Sequence, residues 1–353
     1  MTRKPTIADV AERAGVAVST VSRYLNGHYA SLAAKQRISK VIAALGYSRS
    51  RNARNLSLGR TGSIGVVVDS TLDLWFTQLL AGIEEELSKH DASLMLASLD
   101  LRGHYDAHMV LGWIREKRVD GLIIAKPGKR ERPLLQKAVE NQIPVVSVAP
   151  DEVVKKIHVV RCNNIAAGAA VADHLADFRH RKIGYAGGPP RSLDSKHRLA
   201  GLRSRLKQLG ISLDRRHIWW CESYEAQAGI EFARTLLGKP LDITALVMGN
   251  DALALGFLRV AQQRGIRVPQ SLSVVGFDNV PEGALLWPGL TTVAQPMREM
   301  GRAACCQLFE NIARAANVQT VEYPMELVVR ESTGPAPDLS SNSAQNGPGA
   351  PRL

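Results

Sequence analysis

A small all-α head followed by a two-lobed α/β core of doubly wound parallel sheets is the fold class that this sequence predicts. Three observations carry it: positive charge concentrated in residues 1–61, helical apolar spacing in that same stretch, and regular alternation of short apolar runs with amphipathic segments from Ser63 onward. The chain has 353 residues, room for two or three domains at about 100–200 residues each. Its 45% hydrophobic and 22% charged residues read as a globular protein with sizeable buried cores. Apolar runs such as Ile64 to Val68 fall far short of the about 18 residues a membrane helix needs, so no membrane partner is expected. The N-terminus, Met1-Thr2-Arg3-Lys4-Pro5, lacks the apolar core of an export signal, which points to the cytoplasm. Cys162, Cys221, Cys305 and Cys306 have no metal-ligand spacing and read as reduced thiols filling cores.

The head comes first. Residues 1–61 hold eleven Lys/Arg against Asp9 and Glu12, which is nine of the chain's twelve net positive charges. A cationic head on a nearly neutral body predicts a polyanionic partner for the head alone. Thr6-Ile7-Ala8-Asp9 has the form of a capping box, and Ile7, Val10, Ala11 and Ala14 give helical spacing up to Gly15. Gly15-Val16-Ala17 then turns the chain into a second helix, Val18 to Asn26, with Val21 and Leu25 inward and Ser19, Thr20, Ser22 and Arg23 outward. A third helix, capped by Ser31, runs through Ile38, Val41, Ile42 and Leu45 to Gly46. Two short helices joined by a tight turn, with small polar groups and an arginine on the second, fit a helix-turn-helix whose second helix enters the DNA major groove. An ordinary three-helix bundle shares the spacing but gives no reason for the charge asymmetry.

From Ser63, strands are expected at Ile64–Val68, Ser93–Ser98, Gly121–Ala125, Val145–Val148, Lys182–Tyr185, Ala245–Met248 and Ser273–Val275. Amphipathic helices are expected near 76–89, 106–117, 132–141, 166–177, 195–209, 225–237, 252–264 and 297–314. Such alternation builds parallel sheets covered on both faces, and its length suits two lobes better than one sheet. The tail 335–353, rich in Pro, Ser, Asn and Gly, reads as disordered. Dinucleotide, P-loop, GxSxG and HExxH signatures are absent from the sequence. His104 and His108 flank Asp106 without a third ligand, so neither a metal nor a cofactor is predicted.

The run from Thr6 to Asn26, continuing through Leu45-Gly46-Tyr47, resembles the head of the lactose/galactose-repressor (LacI/GalR) family. Arg51-Asn52-Ala53-Arg54-Asn55-Leu56-Ser57-Leu58-Gly59 matches that family's hinge helix. The body resembles the family's effector core, which is similar to periplasmic sugar-binding proteins, at Gly187-Gly188-Pro189-Pro190, Arg198-Leu199-Ala200-Gly201, Gly249-Asn250-Asp251, Val274 to Asn279 and Leu290 to Pro296. Together these cover residues 5–334. The resemblance implies a head at 1–48, a hinge helix and linker at 49–61, and a core at 62–334. Within the core it implies an N-lobe of about 62–160 with 292–325, and a C-lobe of about 161–291.

It also implies a homodimeric transcriptional repressor that reads a pseudo-palindromic operator in double-stranded DNA, associated with the nucleoid and controlled by a small molecule between the lobes. Val18 and Ser19 would read bases, Arg23 would contact guanine, and Thr6, Thr20, Ser22 and Asn26 complete the DNA-facing set. Ala53 and Leu56 would enter the minor groove, with Arg51 and Arg54 on flanking phosphates. The strand ends offer Asp73, Trp75, Lys126, Asn163, Arg198, Tyr224, Asn250 and Asp278 as an effector-binding set: charged groups for hydroxyls and aromatic faces for stacking. The chain departs from the family at Ala17, where a capping serine is usual, at Leu72-Asp73 and at Ala149-Pro150. Of the ligands expected, a sugar, sugar acid or sugar phosphate, these departures and Lys126 disfavour a standard hexose, and an acidic sugar or sugar phosphate suits Lys126 and Arg198 better. A purine or partner-protein co-repressor, and an enzyme with an accessory DNA-binding head, remain the alternatives.

Overall fold

The computed structural model describes residues 5–25, 27, 29–47, 55, 59–68, 74–101, 104–152, 154–314 and 317–337. They form two compact units that meet in sequence at Gly62 and Ser63. The expectations for Asn26, Arg51, Ala53, Arg54, Leu56 and Asp73, and for the tail beyond residue 337, lie outside the described residues.

In the head, α1 (Ile7–Ala14), α2 (Val18–Leu25) and α3 (Leu32–Leu45) enclose a small core of Val10, Ala11, Ala14, Val21, Ala34 and Ile38. The capping box forms as the spacing requires. The Thr6 amide donates to Asp9 Oδ2 at 2.7 Å, and the Asp9 amide donates to Thr6 Oγ1 at 3.3 Å. At the other end of α1, Gly15 sits at φ +64, a left-handed conformation that favours glycine, and turns the chain sharply towards α2.

In the core, the strands are β1 (Ser63–Val68), β2 (Ser93–Ser98), a short hairpin of β3 (Asp100–Leu101) and β4 (His104–Tyr105), β5 (Gly121–Ala125), β6 (Val145–Val148), β7 (His158–Cys162), β8 (Ile183–Gly187), β9 (Ile218–Trp220), β10 (Ala245–Met248), β11 (Ser273–Asp278), β12 (Thr291–Ala294), β13 (Thr320–Tyr323) and β14 (Glu326–Val328). They form two six-stranded sheets, β13-β7-β6-β5-β1-β2 and β14-β12-β11-β10-β8-β9. Pairing within these two sheets is parallel except at β14, which lies antiparallel on β12. The expected doubly wound parallel lobes are therefore present. Burial explains why their sequences read as continuous apolar runs: every residue of β5, β6, β8, β10 and β11 is buried, because helices cover both faces.

The lobe boundaries need correcting. β12 belongs to the second sheet although the sequence assigned residues from 292 to the first lobe. The chain returns to the first lobe only at the helix Met297–Ala313, which packs on the helix Leu74–Lys89. β7 extends the first sheet as far as Cys162, and β14 takes the chain back to the second. The reason is pairing: Val293 of β12 aligns with Phe277 of β11 and Leu327 of β14, partners that no local pattern announces. The chain thus crosses between lobes after Cys162, after Ala294 and after Tyr323.

Helix pairs in each lobe pack backbone to backbone. A Cβ on Gly168 would meet the Arg198 carbonyl, and one on Gly201 would meet the Ile165 carbonyl. In the other lobe Gly82 abuts the Arg298 carbonyl and Gly301 the Leu79 carbonyl. Of the cysteines, Cys162, Cys221 and Cys305 fill cores as expected, whereas Cys306 is exposed, beside Glu86 of the helix Leu74–Lys89. Among the described residues no helix is long and apolar enough to cross a membrane.

Candidate functional site

On the head, the burial of Val21 fixes which face of α2 is outward. Val18 is 47% exposed, Ser19 and Arg23 are exposed, and Thr20 and Ser22 are half-buried. Arg23 Nε donates to the Ser19 carbonyl across one turn at 3.4 Å, a long bond. The Ala17 carbonyl accepts from the Thr20 amide at 2.9 Å, so Ala17 occupies the cap position without a capping side chain. Thr6 is tied into the cap of α1, where its hydroxyl donates to Asp9 Oδ2 at 2.8 Å.

In the core, the C-terminal ends of both sheets line a cleft, the usual ligand position in open α/β folds. Five of the effector candidates meet there. Lys126, Arg198, Tyr224, Asn250 and Asp278 surround a tight floor of about 10 Å3, joined by Asp194 and Gln295. Lys126 and Asp278 hold left-handed backbone at φ +49 and +117, strain of the kind that collects at functional sites.

Arg198 organises the floor. It is 2% exposed, donates through Nε to Asn164 Oδ1 at 2.7 Å and through Nη1 to the Gly249 carbonyl, and stacks over the Phe277 ring at 4.5 Å. Burial works against its charge, but the Asp278 carboxylate 3.9 Å away, with Tyr224 and Asp194, outweighs that and raises its pKa above the ordinary guanidinium value. Asp278 Oδ1 also accepts from Gln295 Nε2, while Gln295 Oε1 is a buried acceptor with no partner among the described residues. Such an orphan acceptor in a cleft floor is satisfied when a hydroxyl donor arrives.

Several of the candidates, inside and outside the floor, also make structural contacts. Trp75 is 3% exposed within the first lobe's core, and Lys126 Nζ lies 4.5 Å from its ring centroid. The ring therefore backs the cleft cation and does not line the cavity. Asn163 caps the helix Asn164–Asp177 by accepting from the Ala166 amide at 2.9 Å, and donates to Glu322 at 3.2 Å. Asn250 likewise caps the helix Asp251–Gln263 through the Leu253 amide at 2.9 Å while donating to the Tyr224 carbonyl at 3.1 Å. Tyr224 is held by Ser192 at 2.7 Å and Ser195 at 2.8 Å, with Lys126 Nζ 5.1 Å from its ring.

Above the floor opens a cavity of about 730 Å3 whose walls come from both lobes. Sequence reasoning missed most of this wall: Lys129, Arg130 and Asp151 from the first lobe, and Arg191, Ser192 and Lys196 from the second. Asp151 Oδ1 accepts from the Leu193 amide at 2.6 Å, a clasp that joins the lobes. The available signal was position, since Asp151 follows the end of β6 and Arg191 follows the end of β8.

Burial pushes the Asp151 carboxyl up to about 6, against the Leu193 amide that lowers it. A carboxyl raised in the folded state contributes stability that is full below its ordinary value near 3.8 and is lost as pH rises through about 6. Asp151→Asn keeps an acceptor for the Leu193 amide and removes the titration. The core of the variant is therefore expected to gain stability relative to wild type as pH rises from about 4 to about 7, by up to about 3 kcal/mol. Urea unfolding across that range checks this, and parallel pH profiles for the two proteins would contradict it.

Among the described residues no group of three or more His, Cys, Asp or Glu side chains is placed to hold a metal ion.

The head is a helix-turn-helix unit and the core is a two-lobed binding-protein fold with an interlobe cleft. Residues 6–50 match the model for bacterial regulatory proteins of the lacI family, and residues 172–333 match a periplasmic binding protein-like domain. The HTH-type transcriptional repressor PurR of Mannheimia succiniciproducens is 32% identical over 93% of this chain and 98% of its own length. Among solved structures, a Lac repressor dimer bound to operator and the anti-inducer ONPF matches with TM-score 0.80 and 26% identity, over 94% of this chain and all of that one. The transcriptional regulator CelR in complex with cellobiose matches with TM-score 0.70 and 27% identity, over 93% and 99%. The chain belongs to the LacI family of bacterial transcriptional regulators.

Proposed function

We propose that the protein is a cytoplasmic, nucleoid-associated homodimeric repressor that binds a pseudo-palindromic operator through its head and is controlled by a small molecule in the interlobe cleft. The carrying observation is the outward face of α2, where Val18, Ser19 and Arg23 stand over a buried Val21 in the most cationic part of the chain. Two such helices on a symmetric dimer read two half-sites. Large apolar side chains support self-association: Leu285 and Trp287 are each 84% exposed on one lobe, and Met109 is 50% exposed on the other.

The cleft supports sensing rather than turnover. Arg198, Asp278, Asn250 and Tyr224 are each engaged with protein partners, as clamps are, and this is why we read the protein as a regulator and not an enzyme. A ligand that prefers one lobe arrangement shifts the operator-binding population by its differential affinity.

Selection of binding sites from random duplexes by the full chain, followed by footprinting on genomic DNA, tests the reading. A palindromic consensus supports it, and enrichment of no sequence refutes it. Within that consensus, Arg23→Ala is expected to relax preference at one base pair per half-site, at a cost of about 1–3 kcal/mol in discrimination. An unchanged consensus for the variant would remove Arg23 from the reading set.

A further inference from the structure

The space in the cleft lies above the floor. The floor measures about 10 Å3, whereas the outer chamber measures about 730 Å3, within the range that encloses a small organic ligand. A molecule contacting Arg198, Asp278 and Gln295 through its hydroxyls therefore extends outward past the chamber wall.

That wall is charged in an uneven way. Its acids are mostly spoken for. Glu131 accepts from the Gly128 amide at 2.8 Å, Glu152 pairs with Arg132 at 3.2 Å, and Asp151 accepts from Leu193. Of its cations, Lys129 from the first lobe and Arg191 and Lys196 from the second make no ion pair among the described residues, and all three are exposed to the chamber. Glu225 is the remaining wall acid, so with Lys126 and Arg130 the wall carries five cations against four carboxylates, one of which, Glu152, is already paired with Arg132. Lys126, between the floor and the chamber, belongs to both linings.

We propose that the outer chamber is an anion subsite, and that the effector is a polyol bearing a carboxylate or phosphate held by Lys129, Arg191 and Lys196. The inference rests on the cleft being the effector site and adds the chemical class of what it takes. Arg191 offers the planar fork that carboxylates and phosphates accept in bidentate fashion, and the two lysines add point charges on either side of the cleft. Cations contributed by both lobes also reward closure around an anion, because neither lobe alone completes the shell.

The test uses the full chain and two probes that carry the anionic groups alone, inorganic pyrophosphate and malonate. Each is titrated against wild type and the triple variant Lys129→Ser/Arg191→Ser/Lys196→Ser by calorimetry and by the melting temperature of the core. All three side chains are exposed, so the variant is expected to melt as wild type does in the absence of probe. Because the cationic head is unchanged, anion uptake there is common to both proteins.

The expected result is one additional site in wild type, weakened at least tenfold in the variant, with the better probe telling phosphate from carboxylate. Identical titrations of the two proteins, or no core stabilisation by either probe, would overturn the proposal. Operator selection run on the same preparations separates the two levels. A wild type that selects a consensus but shows no extra anion site loses only the anion subsite. One that selects no consensus loses the regulatory reading itself.

Discussion

Replacing Arg198 with methionine is expected to uncouple the cleft and to destabilise the core more than any other single change there. The guanidinium is buried and joins segments from three separate parts of the second lobe: Asn164 at one helix start, Gly249 at the end of β10, and Asp278 at the end of β11. Methionine fills similar space but leaves the Gly249 carbonyl and the Asp278 carboxylate without it in a dry site. Removing one partner of a buried pair costs about 3–5 kcal/mol. For a unit of this size that is a fall in melting temperature on the order of 10 °C. Two measurements check this: thermal melting, and operator affinity with and without ligand. The variant should bind DNA through an intact head yet lose its response to ligand. Arg198→Lys, which keeps the charge but not the fork, is expected to fall between. Wild-type melting with a retained response would show that Arg198 neither supports nor reads the cleft.

The second large effect concerns the head. A chain lacking residues 1–62 is expected to lose DNA binding while its core melts cooperatively and still binds ligand, since the two units are separately compact. In the full chain, eleven cationic side chains in residues 1–61 make phosphate contact the main source of affinity. If about 6–10 phosphates are neutralised per dimer, affinity falls about 10³–10⁵-fold between about 50 and 200 mM salt. Fluorescence anisotropy on a selected duplex measures this. A flat salt response, or DNA binding by the truncated chain, would move the nucleic-acid surface off the head.

Much of the fold was legible because its determinants are local. The Thr6–Asp9 box, the left-handed turn at Gly15 and the serine cap at Ser31 are each set within a few residues, and each forms. Buried parallel strands read as apolar runs, so β5, β6 and β10 fall at the expected bounds, as does the partly buried edge strand β2. The strands that escaped notice carry polar residues or lie at edges. β7 contains His158 and Arg161, β12 opens with Thr291-Thr292, and β13 and β14 have only half-buried and exposed residues. Their positions depend on pairing with distant segments, which displaced the lobe boundary at β12.

The cleft shows the same division. Strand-end chemistry pointed to Arg198, Asp278, Asn250, Tyr224 and Lys126, which converge. Residue type alone did not announce that Trp75 packs inward or that Asn163 caps its helix. It missed Asp151 and Gln295, whose parts are set by partners distant in sequence, Leu193 and Asp278.

The glycine pairs have a mechanical corollary. Where Gly168 and Gly201, or Gly82 and Gly301, bring two helices into main-chain contact, no side chains intervene to shear or compress. Each lobe then behaves as a stiff block, and any ligand-driven displacement is channelled into the three connections that follow Cys162, Ala294 and Tyr323. A bulkier residue at any of the four glycines would soften a block from within, so that work done by a bound molecule dissipates locally instead of arriving at the operator.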